Sequence, residues 1–198
     1  MFGRHSPRSF DAVALGRLET DAWVGYYRRD WVRTLRSIVG MVDEGFGLGP
    51  WATWVAAWHV LRANQAWAPV PDNDPEAARA AMRRFYRLLH ARSDLDFEPD
   101  RAATLEVEWW RIHRARQRDD AADRADLERA LVDLYAHVYG VPRGSLHEAA
   151  RWRVEAMDLS DAWVAGGCDP TDPRLAAERR ALVASYAALL DTLCRVGA

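Results

Sequence analysis

The stretch LEVEWWRIHRARQRD, residues 105–119, places Glu106, Trp109, Trp110 and His113 within two turns of one helix. At roughly 100° per residue, Leu105, Trp109 and Ile112 mark a core-facing side with Trp110 at its far edge, and Glu106 and His113 fall between the indoles. Glu108, Arg111 and Arg114 point the other way. Ionisable groups set in an apolar wall titrate abnormally, which is what acid–base chemistry near neutral pH requires. Glu106 and His113 are seven residues apart, about 10 Å along the axis, which works against direct contact. A network joining them needs a bridge from another helix, for which Tyr26 is the candidate. The competing reading is structural: each group bonds a tryptophan N–H, a tyrosine or an arginine and fixes the packing of its helix.

Two other helical runs carry inward polar groups. In residues 146–164, Leu146, Ala150, Val154, Met157 and Val164 form the apolar side, yet Arg153 and Asp161 project from within it beside Ser160. Such a pair either satisfies itself or clamps a substrate carboxylate or phosphate. Arg151, Glu155 and Asp158 lie opposite as a solvated ladder. Glu19 shares a seam with Leu15, Ala22 and Tyr26 and turns inward, whereas Arg62 lines up with Trp51, Val55 and Trp58, with His59 at the edge. The expected site takes Glu106, His113, Asp161 and Glu19 as the groups that do chemistry. Tyr26, Trp58, Arg62, Trp109, Trp110 and Arg153 are the groups expected to hold a ligand.

Spacing works against several other chemistries. A carboxylate-bridged two-metal site needs Glu-x-x-His pairs, and the sequence has none. HEAAR, residues 147–151, puts Arg151 where the second histidine of a zinc motif belongs. A mononuclear metal site built from Glu19, His113 and Asp161 stays open. Neither a Gly-x-Ser-x-Gly elbow nor a glycine-rich phosphate loop occurs, and no motif requires a cofactor. All 27 cationic side chains are arginine, which removes Schiff-base lysines and pyridoxal phosphate anchors. The formal charge of -2 gives no global field for nucleic acid. In YYRRDWVRTLR and RRFYRLLHAR the arginines spread round the helix, so nucleic acid is not the expected partner. Cys168 and Cys194 fit neither a disulfide framework nor a metal spacing.

The elements that must position these groups read as helices throughout, because start and stop signals bracket amphipathic runs and strand signals are missing. A long run from about Phe10 to Phe46 ends at GFGLGP. The next, WATWVAAWHVLRANQAW, is apolar nearly all round and is expected to be the central, most buried helix. Asp74 and Pro75 open a third, and Pro99 opens the helix of the opening motif. DDAAD, residues 119–123, is a break or a kink. A helix near Arg124 to Tyr139 stops at Gly140, Ser145 and Glu148 form a capping box for the sixth, and Asp172 and Pro173 open the last.

The expectation is an all-α, single-domain bundle or array of about seven helices over residues 1–198, with a central Trp-rich helix. With 49% apolar and 28% charged residues the chain can bury one core. No segment is apolar enough to span a bilayer or act as a leader, so cytoplasmic is the default. The expected function is binding of a small organic molecule in an aromatic-lined pocket, with or without catalysis by the Glu/His/Asp cluster. The alternative is a non-catalytic interaction module or homodimer, for which ten tryptophans supply interface-type side chains.

Overall fold

The computed structural model describes residues 5–118 and 122–196. Within them the chain forms α1 (Ala12–Tyr27), α2 (Trp31–Phe46), α3 (Pro50–Trp67), α4 (Pro75–Arg92), α5 (Pro99–Gln117), α6 (Arg124–Tyr139), α7 (His147–Ala165) and α8 (Arg174–Val196), with a short 3-10 turn at Arg143–Ser145. There is no strand among the described residues. No helix is long and apolar enough to cross a membrane.

The first amphipathic run is two helices, because the chain reverses at residues 28–30. Arg29 takes a left-handed backbone with φ 58°, and the Asp30 N–H closes on the Gly25 carbonyl at 2.8 Å. Asp30 then caps α2 by accepting from the Arg33 N–H at 3.0 Å. The reversal presses Thr34 against α1, where a Cβ on Gly25 would lie 2.9 Å from the Thr34 nitrogen. Apolar periodicity runs through the reversal and hides it. At the start of α7 the expected capping box does not form. Ser145 donates to the Pro142 carbonyl inside the 3-10 turn, and α7 begins at His147 with no side-chain cap. Asp74 and Gly140 act as expected, the first accepting from the Ala77 N–H and the second ending α6 in a left-handed conformation. Residues 119–121 of the undecided break lie outside the described residues; α5 ends at Gln117, and Asp123 caps α6.

Each helix packs extensively on the next in the chain, and α8 packs back on α1. Short connections fold each helix back along its predecessor. The eight therefore close into a ring of staves. In such a ring α3 is a stave rather than a centre. It turns Ala52, Ala56, Ala57 and Ala63 inward, small residues that let its neighbours approach. Trp51, Trp54 and Trp58 are left outside, 78%, 46% and 51% exposed.

The seam that closes the ring is tight at Gly16 of α1, where an added Cβ would stand 2.9 Å from the backbone nitrogen of Val183 on α8. Backbone cannot swing aside as a side-chain tip can. Gly16→Ala is therefore expected to lower the urea midpoint by the equivalent of about 1–3 kcal/mol without changing the denaturant slope. An unchanged midpoint would show that the seam yields.

Candidate functional site

The inward side of α5 is centred on Ala103, Val107 and Trp110, with Leu105 and Ile112 only half-buried at its fringe. The true face is rotated from the expected one. Glu106, Trp110, His113 and Gln117 recur at helical spacing along it and look into the ring. Arg114, expected to point away, lines the interior as well.

A cavity of about 440 Å³ lies between α1, α2, α3, α5 and α7, walled by Trp23, Tyr26, Trp67, Trp109 and Trp110, with Glu106 and His113 on its surface. A deeper, more apolar chamber of about 190 Å³ reaches toward α4, α6 and α8, past Phe46, Phe85 and Leu131. Ile38, Met41, Val60, Glu106, Trp109 and Arg153 line both.

Glu106 stands at this shared wall. Its Oε1 accepts the indole N–H of both Trp109 and Trp110 at 3.1 Å. These residues follow at i+3 and i+4, so one helix turn delivers both donors to one oxygen. Oε2 accepts the Tyr86 hydroxyl at 2.6 Å. Burial pushes the carboxyl's pKa up, while the Tyr86 hydrogen bond, the Arg153 charge and the two indoles pull against that shift. The same burial, with the Glu106 charge, holds the Tyr86 hydroxyl protonated. A carboxylate offers about four lone pairs, so one direction on Oε2 is still open to a donor.

Glu19 and Arg153 form a buried ion pair, with side chains 3% and 12% exposed. Arg153 donates through both terminal nitrogens, Nη1 to Oε2 at 2.9 Å and Nη2 to Oε1, and Tyr186 adds its hydroxyl to Oε2 at 2.6 Å. The guanidinium lies about 6 Å from the ring centroids of Trp23, Trp109 and Tyr186. Burial opposes its charge, but Glu19 prevails and raises the arginine's pKa. The expected partner of Arg153 was Asp161; the structure gives it Glu19 instead.

Asp161 turns to His113, whose Nε2 lies 3.0 Å from Oδ2, while Gln117 donates to Oδ1 at 2.6 Å. An ionised carboxylate only accepts, so in the neutral imidazole this contact puts the proton on Nε2 and leaves Nδ1 as the acceptor. Nδ1 takes no hydrogen-bond partner among the described residues. The expected bridge through Tyr26 is absent: Tyr26 sits beneath the Arg29 guanidinium, 5.6 Å from its ring. Arg29 donates to the Ala68 carbonyl at 2.7 Å, and Arg114 stacks 4.4 Å over Trp67. These cations form the cavity's mouth. The ladder expected on the far side of α7 is an interhelical one, with Asp158 receiving Arg116 and Arg124.

Two expected site residues lie elsewhere. Trp58 is on the outer face of α3, and Arg62 is exposed and bonds Gln65. Glu19, held by Arg153, does not join His113 and Asp161. Among the described residues no three His, Cys, Asp or Glu side chains come close enough to hold a metal ion. Sequence reasoning missed Tyr86, Tyr186, Trp67, Arg29 and Arg114. Tyr86 falls on the apolar side of α4 with Met82 and Leu89 and was open to being read as an inward hydroxyl. Arg29 sits in the hidden reversal and gave no signal. Comparison with known proteins finds no matching family model, no similar curated protein and no similar solved structure.

Glu178 of α8 is fully buried, and neither carboxylate oxygen has a hydrogen-bond partner. Burial, and after it the Glu19 charge, push its pKa from 4.5 to about 8. Between those two values the folded chain keeps a proton that the unfolded chain has released. Stability is therefore full below the lower value and falls as pH rises to about 8. Glu178→Gln, neutral at every pH, is expected to match the parent at pH ~4 and to exceed it above pH ~9 by on the order of 3 kcal/mol in chemical denaturation. Parallel pH profiles would remove this assignment. Arg153→Leu strands the Glu19 carboxylate and is expected to cost about 3–5 kcal/mol, most of it recovered by the double variant Glu19→Leu/Arg153→Leu.

Proposed function

We propose that this protein binds a small organic molecule inside its helical ring, with Glu106 and the His113–Asp161 pair as the polar groups that meet it. The observation that carries the reading is the aromatic-walled cavity of about 440 Å³, within the size range of small-molecule sites. Glu106 and His113 converge on it from α5 as orienting groups do in such sites, with Arg29, Asn64 and Arg114 among the further polar lining. In the catalytic form of this reading His113 takes a proton from the bound molecule through Nδ1, Asp161 holds the imidazole in the required tautomer, and Glu106 receives a donor of the substrate. The test is calorimetric titration with 2-naphthaleneethanol, a neutral molecule of suitable size. Binding with Kd of about 1–100 µM is expected, weakened at least about tenfold by Met41→Trp, which fills the wall common to both chambers while keeping cooperative unfolding. No heat of binding, or equal binding by the filled variant, would reject the pocket.

A second reading rests on a different observation, the row of exposed Trp51, Trp54 and Trp58 on α3. Tryptophans at i, i+3 and i+7 form one stripe, suited to burial against the same stripe of a second copy. Light scattering on Trp54→Glu and the parent protein separates the two: a dimer that dissociates in the variant supports the interface, and a monomeric parent excludes it.

A further inference from the structure

We infer that the ligand is an amphipathic organic anion, held with its acidic group at the mouth between Arg29 and Arg114 and its apolar body running inward between the aromatic walls. This inference rests on the pocket reading above and assigns a chemical class to its occupant. Charge is distributed unevenly along the cavity. At the inner end, Arg153 is already bound through both terminal nitrogens by Glu19, and Glu106 adds a second carboxyl on the same wall. An entering anion would meet two carboxyl groups there and a guanidinium whose terminal nitrogens are already taken.

At the outer end the sign reverses. Arg29 and Arg114 both line the cavity, and neither makes an ion pair with an acid among the described residues. Their contacts are neutral groups: the Tyr26 and Trp31 rings and the Ala68 oxygen for Arg29, the Trp67 ring and the Pro69 oxygen for Arg114, with the Tyr26 hydroxyl beside both. Arg114 is half-buried, and the loss of water lowers its pKa, with Tyr26 opposing that shift. A desolvated guanidinium stacked on an indole and lacking an acid is preorganised for a carboxylate, with which it forms short charge-assisted hydrogen bonds. Between mouth and floor the walls are Tyr26, Trp67, Trp109, Trp110, Ile38 and Met41, which suit an apolar or aromatic body. The deeper chamber beyond Met41 accepts additional hydrocarbon.

The experiment compares three probes of one shape by calorimetry on the full chain: 2-naphthylacetic acid, 2-naphthaleneethanol and 2-(2-naphthyl)ethylamine. The acid is expected to bind about tenfold or more tighter than the alcohol, with the amine weakest, and its advantage to shrink between 0.05 and 0.5 M salt. Arg114→Gln and Arg29→Gln are expected to bring the acid down to the alcohol's affinity and to leave the alcohol unchanged. Equal binding of all three probes, or acid affinity indifferent to both variants, overturns the anion assignment while leaving the cavity as a binding site. Absence of binding by every probe, the alcohol included, overturns the cavity reading itself and this inference with it.

Discussion

A carboxylate and a guanidinium meeting inside the ring set the terms for everything around them. Glu19 and Arg153 have given up water, which costs several kcal/mol per ion unless each lone pair and proton finds a partner. The paired nitrogens of Arg153 and the Tyr186 hydroxyl provide those partners for Glu19. The contact therefore needs α1, α7 and α8 in one fixed relation, and these are the staves that close the ring. The same guanidinium moderates the charge of Glu106 across the shared wall. An alteration in the register of α7 would disturb both carboxylates together.

This constraint explains how a void survives in a structure that would otherwise collapse around it. Empty space in a core is normally reduced by rotamer changes of its lining. Here the lining has little freedom to move. Trp109 and Trp110 are both tethered by their indole N–H to Glu106, Tyr86 is tethered to the same carboxylate, and Trp67 is covered by Arg114. Such hydrogen-bonded side chains keep the cavity's shape without a ligand, and a preformed site avoids part of the ordering cost of binding.

The all-helical character was legible because caps and apolar periods are local, and Asp74 and Gly140 do what their positions imply. That Glu19, Glu106 and Arg153 turn inward was also legible, since each interrupts an apolar face. Partner identity was not. Asp161 and Arg153 share one helix face two turns apart, where each interrupts the apolar side, yet each finds its partner on a different helix, α5 and α1 respectively. Only the ring topology decides that, and it depends on the reversal at Arg29, which the continuous periodicity of residues 10–46 conceals. The tryptophans of α3 misled for a related reason. Hydrophobicity alone ranked them as core, whereas the alanines beside them allow close packing and left the large rings outside.

Ring geometry also accounts for the kinds of residue found inside. Two aliphatic side chains meeting tip to tip fill the space between adjacent helices but not the interior that a closed cycle of eight contacting helices encloses. Longer and broader side chains are needed there, and Trp, Tyr and Arg supply the reach. Each of them carries polar atoms to the centre, where an unpaired donor is costly. Glu19 and Glu106 answer most of those donors: between them they accept from Arg153, Tyr186, Tyr86, Trp109 and Trp110, and the Arg153 Nε alone of these is left without a partner among the described residues. A lysine in the place of Arg153 would offer a point charge on a flexible stem and could not both fork onto Glu19 and lie flat among Trp23, Trp109 and Tyr186. The polar interior thus follows from filling a wide ring, and the aromatic walls of the cavity come from the same requirement.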